Sequence, residues 1–203
     1  MTQKVDNLRV KRTKILLREA LIALIEEKGF DALTVGDLTE RAMVSRAAFY
    51  RNYQDKYDLV EQIFEEAMKM LLDAVAEMGP PRGREHHPPE VWVRFFEHIA
   101  EYERLYHALL GNKGSPWFVR KMRTSLADLV TQHGREHVPR EHPAPGRPVL
   151  PSTDEFVPAL VSAMLVEAIT WWLEQGRPCT PREMATRCGL LMSALFREVS
   201  TWH

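Results

Sequence analysis

Apolar residues in this 203-residue chain recur every three to four positions, and no segment alternates convincingly with period two. That spacing restricts the chain to helices, because a strand needs its apolar side chains on every second residue. Residues 13–28 place Leu16, Leu17, Ala20, Leu21, Leu24 and Ile25 on one face, and Gly29 ends the run. Residues 57–78 carry a second such face from Leu59 to Met78, and residues 89–110 a third, aromatic one. Pro116 opens a helix to about His133 from its N1 position. Ser152 or Thr153 caps a helix to about Gln175, whose start Pro158 should kink or delay. Thr180-Pro181-Arg182-Glu183 is a capping box opening a last helix to about Val199. The expected fold is all-α, with about nine helices.

Proline and tryptophan divide the chain. The first proline is Pro80 and the first tryptophan Trp92, so all 13 prolines and all 5 tryptophans fall in the later part. Loops are expected at 79–89, 111–116, 138–151 and 176–181, where proline and glycine cluster. The net charge of −1 hides an asymmetry: residues 1–60 hold 11 lysines and arginines against 9 acids. Six of those bases precede residue 20, between Lys4 and Arg18. A basic arm on a near-neutral protein suits a local anionic contact such as nucleic acid, although solvated helix faces carry similar charges.

Only two cysteines occur, Cys179 and Cys188, which excludes a disulfide framework and a cysteine-rich zinc module. The opening MTQKVDNLRVKR lacks a secretory apolar stretch, and no uncharged apolar run approaches a membrane span. A reduced, cytoplasmic setting with no membrane partner is expected.

The segment 33–57, LTVGDLTERAMVSRAAFYRNYQDKY, carries the chemistry. Thr34 three residues before Asp37 signals a helix start. Ser45 caps a second short helix expected to run to Tyr53. Two short helices joined by about three residues form a helix-turn-helix, whose second helix fits a major groove. Ala42, Val44 and Phe49 let the pair pack. Arg46, Ala47, Tyr50 and Arg51 fall on the outward side. Arginine can grip guanine with two hydrogen bonds, and alanine or tyrosine can touch a thymine methyl or a phosphate. Lys56 at the next helix start, beside backbone amides, suits a phosphate.

These residues resemble the DNA-binding domain of the TetR family of bacterial transcriptional regulators. The similarity rests on Gly29-Phe30, Leu33-Thr34-Val35, Ala42-x-Val44-Ser45, Phe49-Tyr50-x-x-Tyr53 and Lys56-x-x-Leu59, and spans about residues 12–64. It implies that residues 1–56 form the DNA-binding domain and 57–203 a regulatory and dimerisation domain. It assigns Thr34, Gly36 and Ser45 to the DNA-facing edge. Arg46 and Ala47 become base readers, and Tyr50, Arg51, Asn52, Tyr53 and Lys56 phosphate-positioning residues. Tyr53 is equally a core residue with an outward hydroxyl. Met43 departs from the family's usual glycine, so the turn is either closed differently or strained.

The resemblance extends to the later part, which looks like the subgroup carrying FFEHIAEYERLYHALLGNKG and a final WWLEQG. It implies a homodimer that binds an operator as double-stranded DNA and answers to a small effector. Interface candidates are Leu160, Ala163, Met164, Glu167, Ala168 and Trp171 on one helix. On the last helix they are Met184, Cys188, Leu191, Met192, Leu195 and Phe196. Pocket candidates are Trp92, Phe95, Phe96, His98, Tyr102, Tyr106, Trp117, Phe118, Met122 and Trp172. Such aromatics suit an apolar planar ligand, yet a stripe at helical spacing equally makes a core.

Metal binding is not expected. His133 and His137 stand one turn apart with Glu136 between and His142 beyond, and His86-His87 are adjacent, but both sets fall at helix ends or in proline-rich loops. No cofactor is expected. A phosphate-binding glycine loop, a nucleophile elbow and an HExxH motif are all missing from the sequence, so an enzyme is not expected. The reading is a ligand-responsive, DNA-binding regulator, most plainly a repressor; the alternative is a regulator controlled by a protein partner.

Overall fold

The computed structural model describes residues 2–77, 90–137 and 153–199. Nine helices and no strand occur among the described residues. They are α1 Thr2–Lys28, α2 Val35–Arg41, α3 Arg46–Tyr50, α4 Lys56–Glu77, α5 Glu90–Glu101, α6 Glu103–Leu110, α7 Pro116–His137, α8 Thr153–Glu174 and α9 Pro181–Val199. The all-α expectation holds. The loops at 79–89 and 138–151, with His86, His87 and His142, lie outside the described residues, as do the side chains of His133, Glu136 and His137.

Four boundaries differ from the sequence reading. Helix α1 starts at Thr2, well before residue 13, since neither glycine nor proline interrupts 2–12. Helix α3 stops at Tyr50, and single turn bonds, Asn52 N to Phe49 O and Tyr53 N to Phe49 O, carry the chain on. The stretch 89–110 is two helices, broken at Tyr102 (φ −105°, ψ 28°). The Tyr102 ring lies stacked on His98 with centroids 4.5 Å apart, under the Arg18 guanidinium at 4.9 Å. Helix α8 runs through Pro158 rather than starting after it. The proline stands in the second turn, where few ladder bonds precede it.

The helices form two compact units. Met1–Met70 with His98–Pro116 make one, and Leu71–Glu97 with Trp117–His203 the other. In the first, α1 buries Leu17, Leu21 and Ile25, α2 buries Leu38, α3 buries Phe49, and α4 buries Leu59 and Phe64. Helix α6 adds Leu105, Tyr106 and Leu109 and packs on α1. Each such side chain contributes about 1.5–3 kcal/mol by leaving water. An ion pair, Arg104 to Glu19 at 2.8 Å, also joins α6 to α1. The second unit buries Phe96, Met122, Leu126, Val161, Leu165, Ile169 and Trp172. Its α8–α9 turn is fixed by the Trp172 indole, which donates to Cys179 O at 2.9 Å.

By length and composition Glu155–Glu174 is apolar enough to cross a membrane, which counting uncharged runs did not suggest. Half of that stretch is buried inside the unit.

Candidate nucleic-acid interface

Helix α2 has seven residues and α3 five, too short to stand without outside support. Polar locks supply it. The Thr34 hydroxyl accepts from Asp37 N at 3.2 Å, and Asp37 Oδ2 accepts from Thr34 N at 2.7 Å. That carboxylate also pairs with Lys28 of α1 at 2.6 Å. The Lys28 ammonium first, then the Thr34 donors, hold the Asp37 carboxyl far below the usual carboxylate range. At the other end of α2, Arg41 donates to both oxygens of Glu27 at 2.7 and 2.6 Å. Two clamps thus lash α2 to α1, and the apolar Leu38 fixes its depth.

The turn after α2 settles the question posed by Met43. Its φ is 52°, the left-handed conformation that a glycine adopts without strain. Val44 N donates to Thr39 O at 3.0 Å and Met43 N to Glu40 O at 3.1 Å, the bonds of a Schellman motif. The turn is therefore closed in the glycine manner with a methionine in place, and the strain reading holds. The Met43 side chain is 90% exposed.

Ser45 then caps α3, its Oγ accepting from Ala48 N at 3.1 Å. Phe49 points inward and is fully buried, which turns Arg46, Ala47, Tyr50 and Arg51 outward; all four are exposed. A Cβ added to Gly36 would stand 3.1 Å from Arg46 Nη2. The structure thus brings Thr34, Gly36 and Arg46 to one edge, and the small residue leaves room for the guanidinium. The surface combines two cations, a phenol and a flat alanine, the chemistry that base edges and phosphates require.

Three of the DNA-contact candidates are placed differently from these four. Tyr53 is 4% exposed with its ring 5.6 Å from Phe49, so the core alternative describes it. Asn52 is half-buried; its side chain donates to Ala48 O at 2.8 Å, and its carbonyl accepts from Gln62 at 3.0 Å. Lys56 donates to the carbonyls of Phe30, Asp31 and Leu33 at 2.9, 2.9 and 3.0 Å, which accounts for all three N–H bonds of an ammonium. The amides of Tyr57 and Asp58 are likewise taken, both by Asp55 Oδ1 at 2.8 Å.

The aromatic residues read as a pocket divide between the units. His98, Tyr102 and Tyr106 lie in the first, the other seven in the second. His98 Nε2 and the Tyr106 hydroxyl share a buried hydrogen bond of 3.1 Å. Burial pulls the His98 imidazole down to about 4 and pushes the Tyr106 phenol up. In the second unit Phe96 meets Trp172 edge-on at 5.6 Å and Phe95 at 5.9 Å, contacts of a packed core. A groove of about 510 Å3 opens between α1 and α2, lined by Leu24, Met43, Glu40 and the ion pairs Lys28–Asp37 and Arg41–Glu27.

On α8 none of the interface candidates is buried: Leu160, Glu167 and Trp171 are exposed, and Ala163, Met164 and Ala168 half-buried. Phe156, one turn before Leu160, joins that side. On α9 the outcome is mixed. Leu191 and Phe196 are exposed and Leu195 is half-buried, but Met184, Cys188 and Met192 are core and cannot meet a second chain. Leu190, which the sequence reading passed over, is exposed beside Leu191. Burial pushes the Cys188 thiol up to about 11, which keeps it protonated. No group of three metal-ligating side chains comes together among the described residues.

Comparison with known proteins adds the context. Residues 17–63 match the family described as bacterial regulatory proteins, tetR family, and residues 86–194 match a transcriptional regulator C-terminal region. The uncharacterized HTH-type transcriptional regulator YxbF of Bacillus subtilis (strain 168) is 33% identical over 66 residues, 30% of this chain and 17% of that protein's length. A TetR transcriptional regulator from Streptococcus agalactiae 2603V shares the fold with a TM-score of 0.58 at 22% identity, over 94% of this chain and 98% of that one. The fatty acid degradation regulator FadR from Bacillus halodurans does so with a TM-score of 0.55 at 12% identity, over 89% and 94%.

Proposed function

We infer the function from one premise: the chain belongs to the TetR family of bacterial regulatory proteins, and it is a DNA-binding transcriptional regulator. The finer reading is ours. The protein is a cytoplasmic homodimeric repressor of the subgroup with an aromatic α5–α6 segment. It reads a short inverted repeat with α3 of each protomer and leaves it when a small apolar effector binds. Residues 1–56 are the reading head, and 57–203 regulate and dimerise.

The observation that carries this reading is the outward face of α3. Arg46, Ala47, Tyr50 and Arg51 stand exposed on a helix whose entry, exit and depth are all fixed. One such helix reads few base pairs, so two copies are needed to specify a site. The accessible side of α8, Phe156, Leu160 and Trp171, with Leu190 and Leu191 of α9, offers the second copy an apolar surface. The edge-on packing of Phe95, Phe96 and Trp172 favours core over pocket, and supports the second reading, a regulator answering to a protein partner.

The test is selection of genomic DNA fragments on the purified protein at two salt concentrations, followed by sequencing. A short inverted repeat that survives the higher salt is expected. Binding that vanishes at higher salt with no shared motif would overturn the specific dimeric reading.

A further inference from the structure

Lys56 stands where the family resemblance calls for a phosphate contact, yet its ammonium is engaged elsewhere. It reaches back to the turn that precedes α2 and donates to the carbonyls of Phe30, Asp31 and Leu33. Its charge also lies over the Phe30 ring at 4.8 Å and the Tyr57 ring at 5.3 Å. Leu33 is the second residue before α2, and Lys56 is the first of α4. The amine therefore ties together the two ends of the helix-turn-helix, residues 34–55. The turn it grips is held from its other side too: Phe30 N donates to Lys113 O at 3.1 Å, and Lys113 Nζ to Glu26 O at 2.9 Å.

We propose that Lys56 is a positioning residue for DNA reading: it closes the base of the helix-turn-helix and so fixes the angle at which α3 presents Arg46, without touching the phosphate backbone. The proposal rests on the DNA-binding reading above. Three converging carbonyls take the three N–H bonds of the ammonium, so it could bind a phosphate oxygen only by giving one of them up. A planar guanidinium cannot aim donors at the same three oxygens.

The test titrates full-length wild type, Lys56→Met and Lys56→Arg with a duplex carrying the enriched inverted repeat and with a scrambled duplex, across a salt series. Circular dichroism verifies that helix content is unchanged. Positioning predicts that Lys56→Met loses about tenfold or more on the repeat, keeps its affinity for the scrambled duplex and keeps the wild-type salt slope. Lys56→Arg should fail to rescue. A phosphate-binding role would instead lower the slope by about 0.9 for each phosphate left unneutralised, on both duplexes, and arginine would restore it; that result overturns the proposal. Should Lys56→Met not fold, the arginine variant decides, because rescue and failure predict opposite affinities. A second readout needs no DNA. In the free protein the Lys56 ammonium protons should exchange far more slowly than those of exposed lysines, and fast exchange would overturn the proposal. A wild type that enriches no fragment would remove the DNA-binding reading itself, while the exchange rate judges the Lys56 contacts separately.

Discussion

The α2–α3 pair and the α8–α9 pair are both two helices joined by a tight turn, yet opposite forces hold them. Helices α2 and α3 are short and bury little, so ion pairs and caps fix them: Lys28 to Asp37, Arg41 to Glu27, Ser45 to Ala48. What they leave exposed is cationic and polar. Helices α8 and α9 are long and held by burial of Val161, Leu165, Ile169, Trp172 and Ala185. What they leave exposed is apolar: Leu160, Trp171, Leu190 and Leu191. A region shaped by hydrogen bonds can offer its surface to a charged polymer, whose phosphates then compete for cations not already engaged. A region shaped by burial, with apolar residues to spare, offers its surface to another protein.

The largest expected effect breaks the second half of that comparison. Leu160→Glu with Trp171→Glu should convert a dimer to a monomer, at a cost of about 2 kcal/mol or more for each anchor removed. Both side chains are accessible, so helix content should hold. Sedimentation equilibrium at micromolar concentration checks it, and an unchanged mass would place the interface elsewhere.

Arg46→Ala tests the first half. Losing a base-reading arginine should weaken the inverted repeat by about 1–3 kcal/mol in each half-site and the scrambled duplex far less. Equal losses on both duplexes would make Arg46 a phosphate contact.

His98 sharpens the comparison, since it is a polar group held by burial. Its folded pKa is depressed from 6.5 to about 4, so only the unfolded chain takes up the proton in that interval. Stability should be full above about pH 6.5 and fall as pH drops toward 4, by up to about 1.4 kcal/mol per pH unit. Thermal unfolding across that range checks this, and His98→Gln should flatten the dependence.

The smallest effect compares two helix ends. Helix α8 closes through Gly176 at φ 66°, with Arg177 N to Trp172 O and Gly176 N to Leu173 O, the bonds Met43 and Val44 make after α2. Only α2 bears a side chain at that left-handed position. Met43→Gly should therefore raise stability by about 1 kcal/mol. An unchanged midpoint would mean that the left-handed methionine costs the turn nothing measurable.

Two helix starts were legible in the sequence, the signal of Thr34 before Asp37 and the capping box of Thr180 with Glu183, and in the structure both are closed by reciprocal capping bonds. So did the outward set on α3 follow from Phe49 alone, because one buried anchor on a short helix fixes the rest. The break at Tyr102 was not legible: no glycine or proline marks it, and the ring's partners include Arg18 of a distant helix. On α9 the apolar residues Met184, Cys188, Leu191 and Met192 form one continuous stripe in sequence, and only packing reveals that Leu191 faces out while the others face in. Lys56 reads as a phosphate ligand from its place at a helix start, and its acceptors are carbonyls more than twenty residues away.

The sequence by itself determined the helical class, the starts of the capped helices α2, α3 and α9 and the outward set on α3, because these depend on residues within one or two turns of each other. The tertiary structure alone decided which apolar stripe is core, where helix α5 gives way to α6 and what Lys56 holds. Those outcomes depend on which distant group reaches a side chain first, and a local pattern carries no record of that competition.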